Sequence, residues 1–125
     1  MTMKYTEKIN DIETVITGYF EGLFYGDIQK LGRSFAAEAY LYGDIRGEAY
    51  LKNLKDYLEG VAARKSPHEL GEDFRMEILS VEVTGKVAVA RLHVPMLGYN
   101  YYDYLALSEI NGEWKIVNKL FVHVE

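Results

Sequence analysis

The chain has 125 residues and a net charge of −5, with 49% hydrophobic and 26% charged residues, the balance of one globular domain over 1–125. It has no cysteine, which removes disulfide frameworks, thiolate metal sites and cysteine nucleophiles. An acidic chain with no Lys/Arg run excludes binding to nucleic acid or an anionic membrane surface. No apolar stretch approaches the roughly 20 residues a bilayer span needs. Glu7, Asp11 and Glu13 interrupt the region where a secretory signal would be continuous, so the expected location is cytoplasmic.

Ile9, Ile12, Val15, Ile16, Tyr19, Phe20, Leu23 and Phe24 recur at spacings of three and four, the stripe of an amphipathic helix. Its start is marked by Asn10 with Glu13, or earlier by Thr6. Gly26-Asp27 reads as a helix stop followed at once by the cap of a short second helix through Ile28, Leu31 and Phe35. Between Glu38 and Tyr50 the period falls to two, which predicts two short strands around a turn. A third helix is predicted from about Leu51 to Ala63. Ser66-Pro67-His68-Glu69 has the form of a helix start, cut to one turn by Gly71.

Alternation begins at Phe74, with Phe74, Met76 and Ile78 in one phase and Leu79, Val81 and Val83 in the other. The slip predicts a bulge between Ile78 and Leu79. Strands follow from Lys86 to Pro95, from Tyr99 to Ile110 and from Trp114 to Val124, the last two joined by an Asn111-Gly112 hairpin turn. Most carry apolar residues on both faces, so both faces are expected to be covered, one by helices and the other by a second copy of the chain. That predicts a homodimer through the sheet.

Helix, short helix, two strands, helix and four strands, with Tyr19-Phe20-Glu21-Gly22-Leu23, Asp103-Tyr104-Leu105-Ala106-Leu107 and Gly112-Glu113-Trp114-Lys115-Ile116-Val117-Asn118-Lys119, resemble the nuclear transport factor 2-like superfamily. Within it they look most like the putative lumazine-binding branch. The resemblance implies an α+β, cystatin-like cone: a strongly bent mixed or antiparallel sheet wrapped around three helices, with a pocket inside. It also implies a small-molecule ligand and no cofactor. Comparison with ketosteroid isomerase sets Tyr19, eight residues before Asp27, at that enzyme's hydrogen-bonding tyrosine. The position matching its base is Gly43, with Asp44 one residue on, and Asp103 lies near its protonated acid.

Asp103 shares its phase with Tyr101, Leu105 and Leu107, an apolar setting that would raise its pKa and suit a general acid or a ligand anchor. The last strand has two faces, Trp114-Ile116-Asn118-Leu120-Val122 and Lys115-Val117-Lys119-Phe121-His123. The family comparison puts Lys119, Phe121 and His123 inside. The expected ligand-binding set is Tyr19, Tyr42, Tyr101, Asp103, Lys119 and Phe121, with Asp103 and His123 as proton-transfer candidates. His68, His93 and His123 lack metal-ligand spacing, so no metal is expected. Three functions compete: a binder of a flat aromatic or heterocyclic compound, a cofactor-independent isomerase, dehydratase or cyclase, and a structural dimerisation module.

Overall fold

A computed structural model describes residues 4–125, in the order α1 (Tyr5–Tyr25), α2 (Ile28–Arg33), β1 (Phe35–Ile45), β2 (Glu48–Asn53), α3 (Leu54–Ala63), β3 (Glu77–Thr84), β4 (Val87–Met96), β5 (Tyr99–Ile110) and β6 (Glu113–His123). The strands form one mixed sheet in the order β2-β1-β6-β5-β4-β3; β1 and β6 run parallel and every other pair is antiparallel. The α+β layering expected from the patterning is present.

The buried stripe of α1 is Ile12, Ile16, Tyr19, Phe20, Leu23 and Phe24. The helix begins at Tyr5, before Thr6 and Asn10, and no side chain caps it. Gly26 ends it in the left-handed conformation (φ 67°), and Asp27 caps α2 by accepting from the Lys30 N–H at 3.1 Å. Gly22 lets the two helices touch: a Cβ there would lie 2.7 Å from Leu31 Cβ and 2.8 Å from Leu31 Cα. In the short turn after α3, the Glu69 N–H donates to Ser66 Oγ (3.1 Å) and the Ser66 N–H to Glu69 Oε1 (3.3 Å), a reciprocal cap.

Three boundaries differ from the sequence reading. The third helix starts at Leu54, because Leu51 and Lys52 pair with β1 and Asn53 supplies the cap, accepting from the Asp56 N–H at 2.8 Å. β1 runs back to Phe35, where pairing with β6 is irregular. Phe74 and Met76 precede β3; Phe74 instead packs edge-on against Phe20 and Phe24, at 6.2 and 5.2 Å between centroids. The predicted bulge is present between Ile78 and Ser80, and Leu79 is the extra, exposed residue. The Asn111-Gly112 hairpin has both residues at positive φ (51° and 83°), as a two-residue loop of the primed type requires.

Unbroken alternation cannot describe β6. Leu107 pairs with Ile116 while Ala106 pairs with Asn118, so one residue is extra at Val117. The buried face therefore reads Trp114, Ile116, Lys119 and Phe121, joining the two alternation sets. This bulge turns Lys119 inward.

Candidate functional site

The inner face of the sheet carries Ala88, Ala90, Leu92, Val94 and Met96 from β4 and Leu105 and Leu107 from β5, all buried against the helices. Two charged side chains interrupt this apolar layer. Asp103 is 1% exposed and Lys119 is 5% exposed. Burying either charge alone would cost several kcal/mol, so each needs partners. Lys119 Nζ stands 3.9 Å from Asp103 Oδ2 and donates to Tyr57 Oη at 3.2 Å. The Tyr19 hydroxyl donates to the same Asp103 oxygen at 2.5 Å. The ammonium also lies 4.8, 4.9 and 5.3 Å from the ring centroids of Phe121, Tyr57 and Tyr19. Four elements supply the group: α1 gives Tyr19, α3 Tyr57, β5 Asp103 and β6 Lys119.

Burial drives the electrostatics. Desolvation raises the Asp103 carboxyl above its ordinary value, opposed by Lys119 and by the Tyr19 hydrogen bond. For Lys119 burial works downward, but Tyr57 and Asp103 outweigh it and the ammonium is held more firmly than usual. Tyr19 is raised well above its normal value by burial and by the Asp103 charge, so it stays a donor. Because folding raises the Asp103 pKa, its contribution to stability is fullest below the unfolded value of 3.8 and is lost as pH rises through the higher native value. Urea melts should therefore show the wild type losing stability relative to Asp103→Asn as pH climbs from 3.8 toward neutrality. A wild type that gains stability relative to Asp103→Asn over that range would contradict the raised value.

Beside this group is a narrow cavity of about 70 Å³. Tyr57, Asp103 and Lys119 form its polar end. Tyr50, Tyr101 and Phe121 make an aromatic wall, the first two rings edge-on to Phe121 at 5.0 and 5.5 Å. Ile45, Val94 and Met96 add apolar surface, and Arg64 completes the lining. Burial pushes the Tyr50 and Tyr101 phenols up to about 12, with Arg64 acting in the opposite direction on both. The cavity is small, with room for only a few non-hydrogen atoms.

Asp103, Lys119, Tyr101 and Phe121 from the sequence-derived set meet at this cavity. Three expected site residues do not line it. Tyr19 stands behind Asp103, outside the lining, and touches the cavity's polar end through its hydrogen bond to that carboxylate and through its ring beside the Lys119 ammonium. Tyr42 is 45% exposed on the opposite face of the sheet, since its partners Leu51 and Leu120 fix its phase outward. His123 is on the inner face beyond Tyr101, packed edge-on against Tyr99. Its Nδ1 accepts from the Asn100 N–H at 2.9 Å, which ties the end of β6 to the start of β5, while its buried Nε2, 3.2 Å from Glu125 Oε1, makes no hydrogen bond to the described residues. At the position matching the isomerase base, Gly43, the Phe121 ring occupies the space where a side chain would point; a Cβ would fall 2.4 Å from it. Asp44 faces outward, opposite Ala49 and Val122.

Tyr57 and Arg64 were missed. Tyr57 carried a signal, since a phenol in the apolar stripe of α3 needs a buried partner. Arg64 carried none, because it follows the last helical residue. Among the described residues, no group of three or more His, Cys, Asp or Glu could hold a metal ion, and no helix is long and apolar enough to cross a membrane.

A mixed sheet wrapped on three helices, with a polar cluster buried between them, is the nuclear transport factor 2-like architecture. A family model described as Putative lumazine-binding matches residues 7–122, and the chain belongs to that family. The family's description, with the fold, suggests a ligand-binding domain. A nuclear transport factor 2-like protein of unknown function from Silicibacter pomeroyi superposes with a TM-score of 0.89 at 23% identity, covering 98% of this chain and 100% of that one. A protein of unknown function with a cystatin-like fold from Nostoc punctiforme gives a TM-score of 0.67 at 15% identity, covering 99% of this chain and 96% of the other. In sequence, the chain is 27% identical over 108 residues to Aldolase FrzH of Cladobotryum sp, covering 82% of this chain and 81% of that protein.

Proposed function

We propose that this protein binds a small conjugated carbonyl compound, with the carbonyl head in the cavity and the flat portion among Tyr50, Tyr101 and Phe121. The observation that carries this reading is the fully buried Tyr19–Asp103–Lys119–Tyr57 chain facing that cavity. A carbonyl oxygen accepts from an ammonium and a phenol, and flat rings suit aromatic walls. At about 70 Å³ the hollow takes only the head of such a ligand, and a larger ring system requires Tyr50 or Tyr101 to swing aside.

A second reading, catalysis, is favoured by the Asp103 carboxylate itself. Its Oδ2 is engaged by Tyr19 and Lys119, while Oδ1 makes no hydrogen bond to the described residues. A raised pKa makes it a better base near neutrality. In the step it supports, the C–H bond beside the carbonyl breaks and its proton passes to Asp103. The electron pair moves onto the carbonyl oxygen, where Lys119 and Tyr57 donate to the enolate, and Asp103 then returns the proton. Kinship with an aldolase supports chemistry of this type, since aldol reactions also run through an enolate or its equivalent.

Acetophenone in D2O tests both readings. Binding should shift amide resonances around Tyr57, Met96 and Tyr101. If the protein is catalytic, it should exchange the methyl protons for deuterium, and Asp103→Asn should slow that exchange by about 10²–10⁴-fold with a smaller effect on binding. Binding without exchange leaves a passive binder; no shift at the cavity sinks both readings.

The outer face of the sheet exposes Tyr40, Tyr42, Leu51, Tyr104 and Leu120 around an almost wholly apolar groove of about 590 Å³. A second copy covering this face would form the homodimer expected from the two-sided strands. Sedimentation equilibrium should give twice the 14.4 kDa chain mass, and a monomer at high concentration would contradict it.

A further inference from the structure

Arg64 is the cation of the cavity wall that has no acid to answer it. Asp103 and Lys119 neutralise each other across 3.9 Å, so the polar end carries no net charge. Arg64 adds one positive charge at the same cavity, on the side of Tyr50 and Tyr101, whose phenols its charge reaches. A guanidinium is charged at every physiological pH. Among the described residues it has no carboxylate within 4.0 Å and makes no side-chain hydrogen bond. Nor does it cap α3, whose C-terminal position it occupies in an extended conformation (φ −105°, ψ 162°) with no capping bond. Basic residues at that position commonly satisfy the last carbonyls; this one is left free for another partner.

The cation of the adjoining depression is already paired. A depression of about 420 Å³ shares Ile45 and Tyr50 with the cavity and continues outward past Tyr99 and Arg46. Arg46 is already committed: it pairs with Glu125 at 3.3 Å and lies over the Tyr99 ring at 4.9 Å. The depression carries an acid of its own, Glu48, and Arg64 does not line it, so a negative group that reaches Arg64 is held at the wall of the cavity itself. Arg64 is exposed, and Lys52 Nζ lies 5.2 Å from the centroid of the Tyr50 ring on the same wall, so this side of the cavity is positive and favours a negative ligand group.

We infer that the ligand is a carbonyl compound bearing a carboxylate, held by Arg64 at the cavity wall while the carbonyl reaches Lys119 and Tyr57. This rests on the carbonyl-binding reading of the cavity and adds the acid to it. An Arg–carboxylate pair is planar and two-pronged, so it fixes the rotation of the flat ligand about its long axis as well as its affinity. Arg64 is accordingly a specificity residue; the reacting end is elsewhere.

The test compares 4-acetylbenzoate with acetophenone on the intact chain, reading Kd and amide shifts by NMR. The wild type is expected to prefer the acid by about fivefold to tenfold, the size of a partly exposed charge-assisted pair. Arg64→Gln should bring that preference to near parity and Arg64→Lys should restore part of it. Lys65→Gln, which removes an adjacent charge outside the lining, should leave it in place. Raising salt should shrink the preference in the wild type and not in Arg64→Gln. Acetophenone shifts at Tyr57, Met96 and Tyr101 with no preference for the acid, or a preference that survives Arg64→Gln, overturns the assignment of Arg64 and leaves the cavity reading standing. Absence of cavity shifts with either probe overturns both.

Discussion

Lys119→Met should cost about 3–5 kcal/mol of stability near neutral pH, the penalty for leaving the partner of a buried ion pair uncompensated. The carboxylate stranded by this change is Asp103, 1% exposed and retaining only the Tyr19 hydroxyl as a donor. Methionine matches the length of the lysine stem and can pack against Tyr57 and Phe121, so lost packing accounts for little of the loss. The remedy available to the mutant is to protonate Asp103, and its deficit should therefore shrink as the pH is lowered. Adding Asp103→Asn removes the stranded charge and should recover most of the stability, a coupling that a double-mutant cycle in urea reads directly. A single-mutant loss below about 1 kcal/mol without coupling, typical of exposed pairs, would mean that water reaches the pair.

Gly22→Ala should be the most damaging small substitution in the helical layer. Alanine is the better helix former by about 1 kcal/mol. The new methyl, however, would meet Leu31 Cβ at 2.7 Å, Leu31 Cα at 2.8 Å and Leu31 N at 2.9 Å. Backbone atoms cannot swing away as a side-chain tip can, so α2 must move off α1. Overpacking of that kind costs typically about 1–3 kcal/mol and occasionally more, and a net loss of about 2 kcal/mol is expected. Gly18→Ala, four residues earlier on the same helix, is the internal control: its Cβ meets Ser34 Oγ at 3.3 Å, which can rotate. Thermal melts of the two variants should separate clearly. Equal stability would mean that α2 has freedom to shift that the tight contact does not suggest.

Fold and site differ in how far the sequence revealed them, and the cause is the same in both. Local signals survive without the structure: the stripe of α1, the Gly26-Asp27 stop, the Asn111-Gly112 hairpin and the phase slip at Ile78-Leu79 each depend on neighbours in the chain. Placement across the sheet depends on register, and one extra residue reverses it. The bulge at Val117 has no phase slip to announce it, because Val117 is itself apolar; alternation alone left both faces of β6 equally fit to line a pocket, and only the family comparison favoured the one with Lys119 and Phe121. Tyr42 fell on the outer face for a related reason, since its phase is set by pairing with β2 and β6 rather than by its own hydrophobicity. Asp103 was legible because a carboxylate among Tyr101, Leu105 and Leu107 contradicts its surroundings. Tyr57 was not, because a tyrosine on a helix stripe contradicts nothing. Arg64 comes to the cavity only through the path of the chain after α3.

The most direct test of the account is a crystal structure of the protein soaked with acetophenone. The carbonyl oxygen should lie within hydrogen-bond distance of Lys119 Nζ and Tyr57 Oη, with the ring between Tyr50 and Tyr101 and the methyl group facing Asp103. A ligand found only in the outer groove near Leu120, with the inner hollow unchanged, would contradict it.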